Sequence, residues 1–386
     1  MKVAIVDVRY PPETFLDRKF TRLAREGFVL MVYSRSVNRA FRRDGVEWRP
    51  LLSATRGDVR RRGLAYVRAL AGRATVVRSD HLSGTRKLVA QWCTRRALAG
   101  VSVVHFEWVL SASDFRSLWS IPRAVMTVSL RGSQVKIATK DPRRPSLAEP
   151  LATTLAAARL VHGVSADIVR AATAFGLDTS KARVIRPAVD PEGYTSRDQL
   201  PRNDTLRLIS VGALRWHKGH EFSITAVAQA VRAGVDVRYV IVGDGDERER
   251  LEFAIREFGL DAVVTLVGAK SPTEVAALLS RSDALLLPSI DEGIANAVLE
   301  GMASGLPVIV TEAGGMREAV TDGVEGLVVP VRDASAMAQA IVRLAGDRAL
   351  AGRMGKAARE RVEREFSLAQ QAKSWMRFYE EAAATR

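Results

Sequence analysis

Two glutamates, Glu292 and Glu300, stand eight residues apart in a run otherwise made almost wholly of small and apolar residues, DEGIANAVLEGMASGLPVI (291–309). Carboxylates are seldom fully buried unless something pairs with them, so a run built for burial needs a reason to carry two. The preceding ALLLPS reads as a buried strand, and IANAVLEGMA has helical composition with Gly305 and Pro307 closing it. Glu292 then sits at a strand tip and Glu300 one to two turns inside the next helix, about 12 Å away if the separation is fully helical. Acids that far apart cannot grip one hydroxyl, but they can hold the two ends of an elongated ligand, with the amides of a helix N-terminus between them for an anion. A nucleotide sugar has that layout: sugar hydroxyls, diphosphate, ribose hydroxyls. A turn acid at Glu292 and a solvated helix charge at Glu300 would be the plainer reading, but the apolar neighbours Val298, Leu299 and Met302 leave Glu300 little polar company.

A second stretch suits the same ligand. SVGALRWHKGHE (210–221) ends a strand in a glycine turn at Gly212 and presents Arg215, His217 and Lys218 before a helix. Cations at a strand tip can clamp a diphosphate and offset charge on a leaving phosphate. Asp244 and Asp246 form a DxD in VGDGDERERLE, better read as a polar strand-to-helix turn than as a metal site. That turn lacks the third glycine of GxGxxG, and the chain has neither a P-loop nor HExxH. With one cysteine, Cys93, it has no intrachain disulfide and no CxxC site.

The elements that must position these residues form two sets. Strand-like runs at 206–214, 237–243, 263–268, 284–288, 307–311 and 326–330 alternate with amphipathic stretches, arguing for a parallel sheet with ligands beyond its carboxyl ends. The first half repeats the plan less clearly, with KVAIVDV, a helix near 14–26, FVLMVYS, VSVVHF, AVMTVSL, LVHGVS and ARVIRPAV. The Pro-, Gly- and Asp-rich 187–204 reads as a linker between two Rossmann-like domains, 1–190 and 191–365. The last helix, about 366–386, is expected to pack back on the first domain. At 386 residues, 47% apolar and 26% charged, the chain has the composition of an ordinary two-domain globular protein. It has neither a signal-peptide h-region nor an apolar run long enough to span a membrane, which points to the cytoplasm.

Charge divides unevenly. Residues 1–190 carry 34 Lys and Arg against 15 Asp and Glu, a net +19, whereas 191–386 carry 24 against 28, a net −4. A basic half suits an anionic surface or acceptor, although Arg spread over solvated faces would give the same count. Within it, 57–78 interleaves arginines with Leu64, Tyr66, Val67 and Leu70 in a roughly helical pattern. One expectation is peripheral contact with anionic lipid on the inner face of the cell membrane; an ordinary surface helix would show the same pattern. No zinc finger, RNP1-like sequence or helix-turn-helix signal supports specific nucleic-acid binding.

Taken together, these stretches resemble the family 4 retaining glycosyltransferases of the GT-B fold, whose E-x7-E segment reads EGxxNxxLEAMAxGxPVI. SVGALRWHKGHE resembles that family's VGRLxxxKG, VIVGDGDERERLE its IVGDGPxxxxLE, and TEAGGMREAVTDGVEGLVVPVRD its TxxGGxxExVxDGxxGxLVPxxD. The likeness covers essentially all of 200–386. It implies two Rossmann-like domains facing across a central cleft and a nucleoside diphosphate sugar as co-substrate, with no metal or other cofactor. Glu292 would hold donor-sugar hydroxyls, Glu300 the ribose and Lys218 the diphosphate, with backbone amides of Gly293, Ile294, Ala295 and Asn296 completing the phosphate site. Ala213 stands where an arginine is common, and Arg215 would supply that charge.

The first half resembles the family more thinly. YPPETFLDRKF is similar to a loop reading PxxSETF, which puts Glu13 and Thr14 on the acceptor side. VVHFEWV is similar to HAHF, with His105 at a strand end facing the cleft, and Arg131 replaces the histidine of a TFHG segment. The implied reaction transfers a hexosyl unit to a hydroxyl acceptor by same-face displacement, with Lys218 and Arg215 stabilising the leaving phosphate. The alternatives are a nucleotide-sugar epimerase or a sugar-phosphate synthase of the same fold and, from another class, a basic nucleic-acid-binding protein.

Overall fold

The computed structural model describes residues 1–37, 39–53, 76–78, 84–119, 124–140, 147–195 and 205–384. The chain forms two compact units, one of Met1–Ile185 with Leu368–Arg386 and one of Arg186–Ser367.

The first unit holds the strands β1 (Lys2–Val6), β2 (Val29–Ser34), β3 (Phe41–Arg43), β4 (Val46–Ser53), β5 (Val76–Arg78), β6 (Val103–Phe106), β7 (Val125–Leu130), β8 (Leu160–Gly163) and β9 (Ala182–Val184), most of them short apolar runs. They make one sheet in the order β3-β4-β2-β1-β6-β7-β8-β9, with β5 also on β4. The pairing is parallel except between β3 and β4. Those two strands are joined across Asp44 and Gly45, both at positive φ (50° and 81°), the geometry a two-residue hairpin with right-handed strand twist requires. Strand β5 takes up residues 76–78 of the basic segment expected to be helical, and 57–75 lie outside the described residues. The helix Leu368–Ala384 belongs to this unit, burying Trp375, Phe378 and Tyr379 with Val3, Ile5, Leu16, Phe20 and Leu160. An Arg183–Glu381 ion pair adds to that attachment.

The second unit holds β10 (Leu206–Val211), β11 (Val237–Val242), β12 (Val264–Leu266), β13 (Ala284–Leu287), β14 (Val308–Thr311) and β15 (Gly326–Val329). All are parallel, in the order β12-β11-β10-β13-β14-β15. The chain therefore builds outward from β10 in one direction and then from β13 in the other. The seam between those two strands is the topological switch point, where loops leaving the carboxyl ends diverge and open a crevice. Buried side chains lie in two clusters, one around Tyr239, Ile341 and Leu344 and one around Leu285, Val298 and Phe366.

The smallness of 291–309 has a packing cause. Helix Asn296–Ala303 lies so close to β13 that a Cβ on Gly301 would come within 2.8 Å of the Leu285 side chain. Gly305, at φ 71°, ends the helix, and the amide of Leu306 turns back to the Gly301 carbonyl at 3.1 Å.

Candidate active site

The two loops that leave β10 and β13 are fastened to each other. Gly219 (φ 65°) follows the short turn Trp216–Lys218, and a Cβ there would strike the Pro288 carbonyl oxygen, so only glycine permits the approach. The amide of Ile290 donates to the His217 carbonyl at 2.8 Å. On the other side, glycines 243 and 245 lie against the carbonyl oxygens of Gly212 and Leu214, and Leu214 N donates to Asp244 O at 3.0 Å. The cation-bearing segment 212–219 is thus held between a glycine turn after β11 and the tip of β13.

This frame brings Lys218 and Glu292 together across 74 residues of sequence, and their side chains form an ion pair. They are 19% and 15% exposed, enough for a ligand to reach both. Ser289 Oγ donates to Glu292 Oε1 at 3.3 Å, and Thr311 Oγ1 fixes the Ser289 carbonyl at 2.5 Å. From the sequence, Glu292 is expected to hold a sugar diol and Lys218 a diphosphate. In the structure each side chain already has the other, so a ligand must exchange with that pair or join it. The lysine stem runs alongside Gly212, where an added Cβ would lie 3.8 Å from its Cδ and Cε.

Around this pair, Gly293, Ile294 and Ala295 are buried and lead into the helix that Asn296 opens. Ala295, at the N-cap, offers no side chain to the first amides; the Val298 amide turns back to the Ala295 carbonyl at 3.1 Å, and those of Asn296 and Ala297 ahead of it suit an anion. The Asn296 Oδ1 atom is buried with no hydrogen-bond partner among the described residues. Glu300 is half-buried one turn further in, and its carbonyl accepts from the Ser304 amide and hydroxyl. Arg215 is exposed on the β10 loop.

Ser289, Thr311 and His220 are not among the site residues expected from the sequence. Ser289 and Thr311 follow or end apolar strands, the signal that could have marked them. His220 is buried, and desolvation first, then the Lys218 charge, pushes its pKa down to about 4. His217 is shifted in the same direction by the same two causes in the same order. Asp244 caps the Gly245 amide at 2.9 Å, and among the described residues no group of acids, His or Cys has metal-site geometry.

In the first unit the expected acceptor-side residues lie at the carboxyl ends of β1 and β7. Glu13 and Thr14 are exposed at the start of helix Thr14–Arg25. Arg131 follows β7 and packs its guanidinium over Phe15, with 4.5 Å to the ring centroid. His105 needs correction: it is on β6 but does not face a ligand surface. Its ring is fully buried, bonded to Thr127 Oγ1 (2.9 Å) and Ser129 Oγ (3.0 Å) and roofed by Trp375, Phe378 and Tyr379. Burial pushes its pKa down to about 4, so it is a neutral core residue. The cover comes from a helix some 270 residues further on, which the local motif cannot reveal.

Residues 195–361 match the family model described as Glycosyl transferases group 1. The amylovoran biosynthesis glycosyltransferase AmsK of Erwinia amylovora is 34% identical over 200 residues, 50% of this chain and 49% of that protein. The chain thus spans about half the length of the curated relatives it matches. Over its full length it superposes on sucrose-phosphate synthase from Thermosynechococcus elongatus (TM-score 0.78, 20% identity, 100% of both chains). It likewise superposes on Anabaena HepE solved with UDP and glucose (TM-score 0.73, 17% identity, 99% of this chain and 100% of the other). The chain therefore has the GT-B fold, and residues 195–361 of its second unit are similar to the group 1 glycosyl transferases.

Proposed function

We propose that this protein is a retaining glycosyltransferase moving a hexosyl unit from a UDP- or GDP-sugar to a hydroxyl acceptor. The product would be a cell-surface glycan, a glycolipid or a natural-product glycoside. The observation that carries this reading is the Lys218–Glu292 pair at the switch point between β10 and β13, beside the helix that bears Glu300. The match of 195–361 to group 1 glycosyl transferases and the biosynthetic role of AmsK support it.

In this reading Glu292 binds donor-sugar hydroxyls and Glu300 the ribose, while Lys218, Arg215 and the amides of Gly293, Ile294, Ala295 and Asn296 take the diphosphate. The bond from the anomeric carbon to the phosphate oxygen breaks as the acceptor oxygen bonds that carbon from the same face. The acceptor proton passes to the departing phosphate, whose charge Lys218 and Arg215 offset. These cations and the helix opening supply the positive charge, so the reaction proceeds without a metal. HepE was solved with UDP and glucose, which supports UDP as the first nucleotide to try.

Thermal shift against a panel of nucleoside diphosphate sugars tests donor binding, because a bound donor raises Tm by mass action. NMR of the product then reports the anomeric configuration. A panel that leaves Tm unmoved, or an inverted product, defeats the reading; turnover of donor without acceptor would turn it toward an epimerase. Among the described residues no helix is long and apolar enough to cross a membrane. Peripheral attachment through 57–78 is proposed from its arginine pattern; equal sedimentation with neutral and anionic vesicles would remove it.

A further inference from the structure

A charged cluster in the first unit has an unbalanced sum. Glu107, directly after β6, is fully buried and accepts the Lys19 ammonium at 2.5 Å on one oxygen and the Arg131 guanidinium at 2.6 Å on the other. His105 (3.6 Å from Glu107) and the nearby His162 are held neutral by desolvation, with the two cations pushing the same way. Burial lowers the Lys19 pKa to about 8, which leaves that group mostly protonated at pH 7. Two cations therefore face one carboxylate. A buried excess charge is costly and favours a counter-ion.

Only one member of the cluster can recruit that ion. Lys19 is 4% exposed and is covered by Trp375, its ammonium 3.1 Å from the ring centroid. Arg131 is 15% exposed. Its Nε donates to the Glu107 carbonyl at 3.1 Å and its Nη2 to the Glu107 carboxylate, which leaves Nη1 without a partner among the described residues. Phe15 and Trp108 lie against the guanidinium, with ring centroids 4.5 and 5.1 Å away. A guanidinium tied on one edge and flanked by aromatic rings is preorganised for an oxyanion on its remaining edge.

We propose that the acceptor carries an anionic group, a phosphate monoester or a carboxylate, and that Arg131 binds it while Trp108 packs against the adjoining part of the molecule. This rests on the transferase reading above and adds the acceptor's charge class. In this role Arg131 determines specificity and takes no part in the transfer.

The test titrates inorganic phosphate and, separately, acetate into wild type, Arg131→Gln, Arg131→Lys and Lys218→Ala, following Tm and tryptophan emission. Arg131→Gln is expected to weaken the response to at least one anion tenfold or more. Arg131→Lys, which keeps charge but not the planar fork, should weaken it several-fold and answers the same question should the glutamine variant not fold. Lys218→Ala should retain the Arg131-dependent response, and the preferred anion tells phosphate from carboxylate. Equal responses in wild type and both Arg131 variants, or a response that disappears only in Lys218→Ala, would overturn the proposal. A nucleoside diphosphate shift that persists in Arg131→Gln separates this outcome from failure of the transferase reading, in which no variant responds to nucleotide.

Discussion

Lys218 and Glu292 neutralise each other in a place where neither is needed for packing, since both stay partly exposed and the loops are fastened by backbone bonds and glycine contacts. In the proposed function their pairing serves ligand handling rather than stability. Lys218→Ala should lower kcat by about 10²- to 10³-fold with the melting temperature nearly unchanged, the size expected when one charge-stabilising donor is lost. Glu292→Gln should also reduce turnover, and the double variant should cost less than the product of the single effects, because the residues act as a unit. Steady-state kinetics on the three variants check this; multiplicative losses would mean that the pair has no joint role. The two residues were legible in the sequence because each lies in the stretch that follows an apolar strand run and leads into a helix. Arg131 and Glu107 were less so: Glu107 acquires its meaning from partners 88 and 24 residues away.

At the scale of elements, the site depends on how closely loops can approach. Gly219 and Gly234 both have left-handed backbone, at φ 65° and 88°, but only Gly219 has a carbonyl oxygen where a Cβ would go, whereas Gly234 opens onto free space. Gly234→Ala should cost about 1 kcal/mol for the conformation alone. Gly219→Ala should cost about 3 kcal/mol and lower donor affinity, since the β10 loop must move away from Pro288. Denaturant unfolding of both variants decides, and equal losses would show that the close approach is unimportant. The six strands of the second unit are readable because each lies in a short, mostly apolar run between helical patterns. The β3–β4 hairpin is marked only by Asp44–Gly45 between polar, partly exposed strands, so a reading based on apolar runs passes over it.

For the whole molecule, buried bases set the response to acid. His105 and His220 have pKa values near 4 in the folded chain and ordinary values near 6.5 once unfolded, and His162 is shifted the same way. Between those values the unfolded chain binds more protons, so stability falls as pH drops from 6.5 towards 4, by up to roughly 3 kcal/mol for each of His105 and His220. Glu107, whose pKa Lys19 and its neighbours hold well below the usual carboxylate range despite burial, adds its own loss only below about 4.5. His105→Gln should flatten the decline in Tm between pH 6.5 and 5; an unchanged slope would rule out its titration as a cause.

The C-terminal helix allows a stronger test of how the chain is divided. The first unit borrows Trp375, Phe378 and Tyr379 from Leu368–Ala384, each at most 2% exposed, while the second unit closes on itself with Val189 bridging to Ser367. Each aromatic buries on the order of 150–250 Å², so at about 25 cal/mol per Å² the three contribute roughly 10 kcal/mol or more. That is comparable to the whole net stability of a typical domain, about 5–15 kcal/mol. Removing the helix would also uncover His105 and take the aromatic cover from Lys19. A chain ending at Ser367 should therefore lose the cooperative unfolding of its first unit and expose it to protease. The second unit, with its own two clusters and the Lys218–Glu292 pair intact, should still melt as a unit and still shift with nucleoside diphosphate. Calorimetry with and without nucleotide reads both events. A truncated chain that melts like the intact one would mean that the helix merely decorates the first unit; one that loses the nucleotide shift as well would mean that the second unit cannot stand by itself.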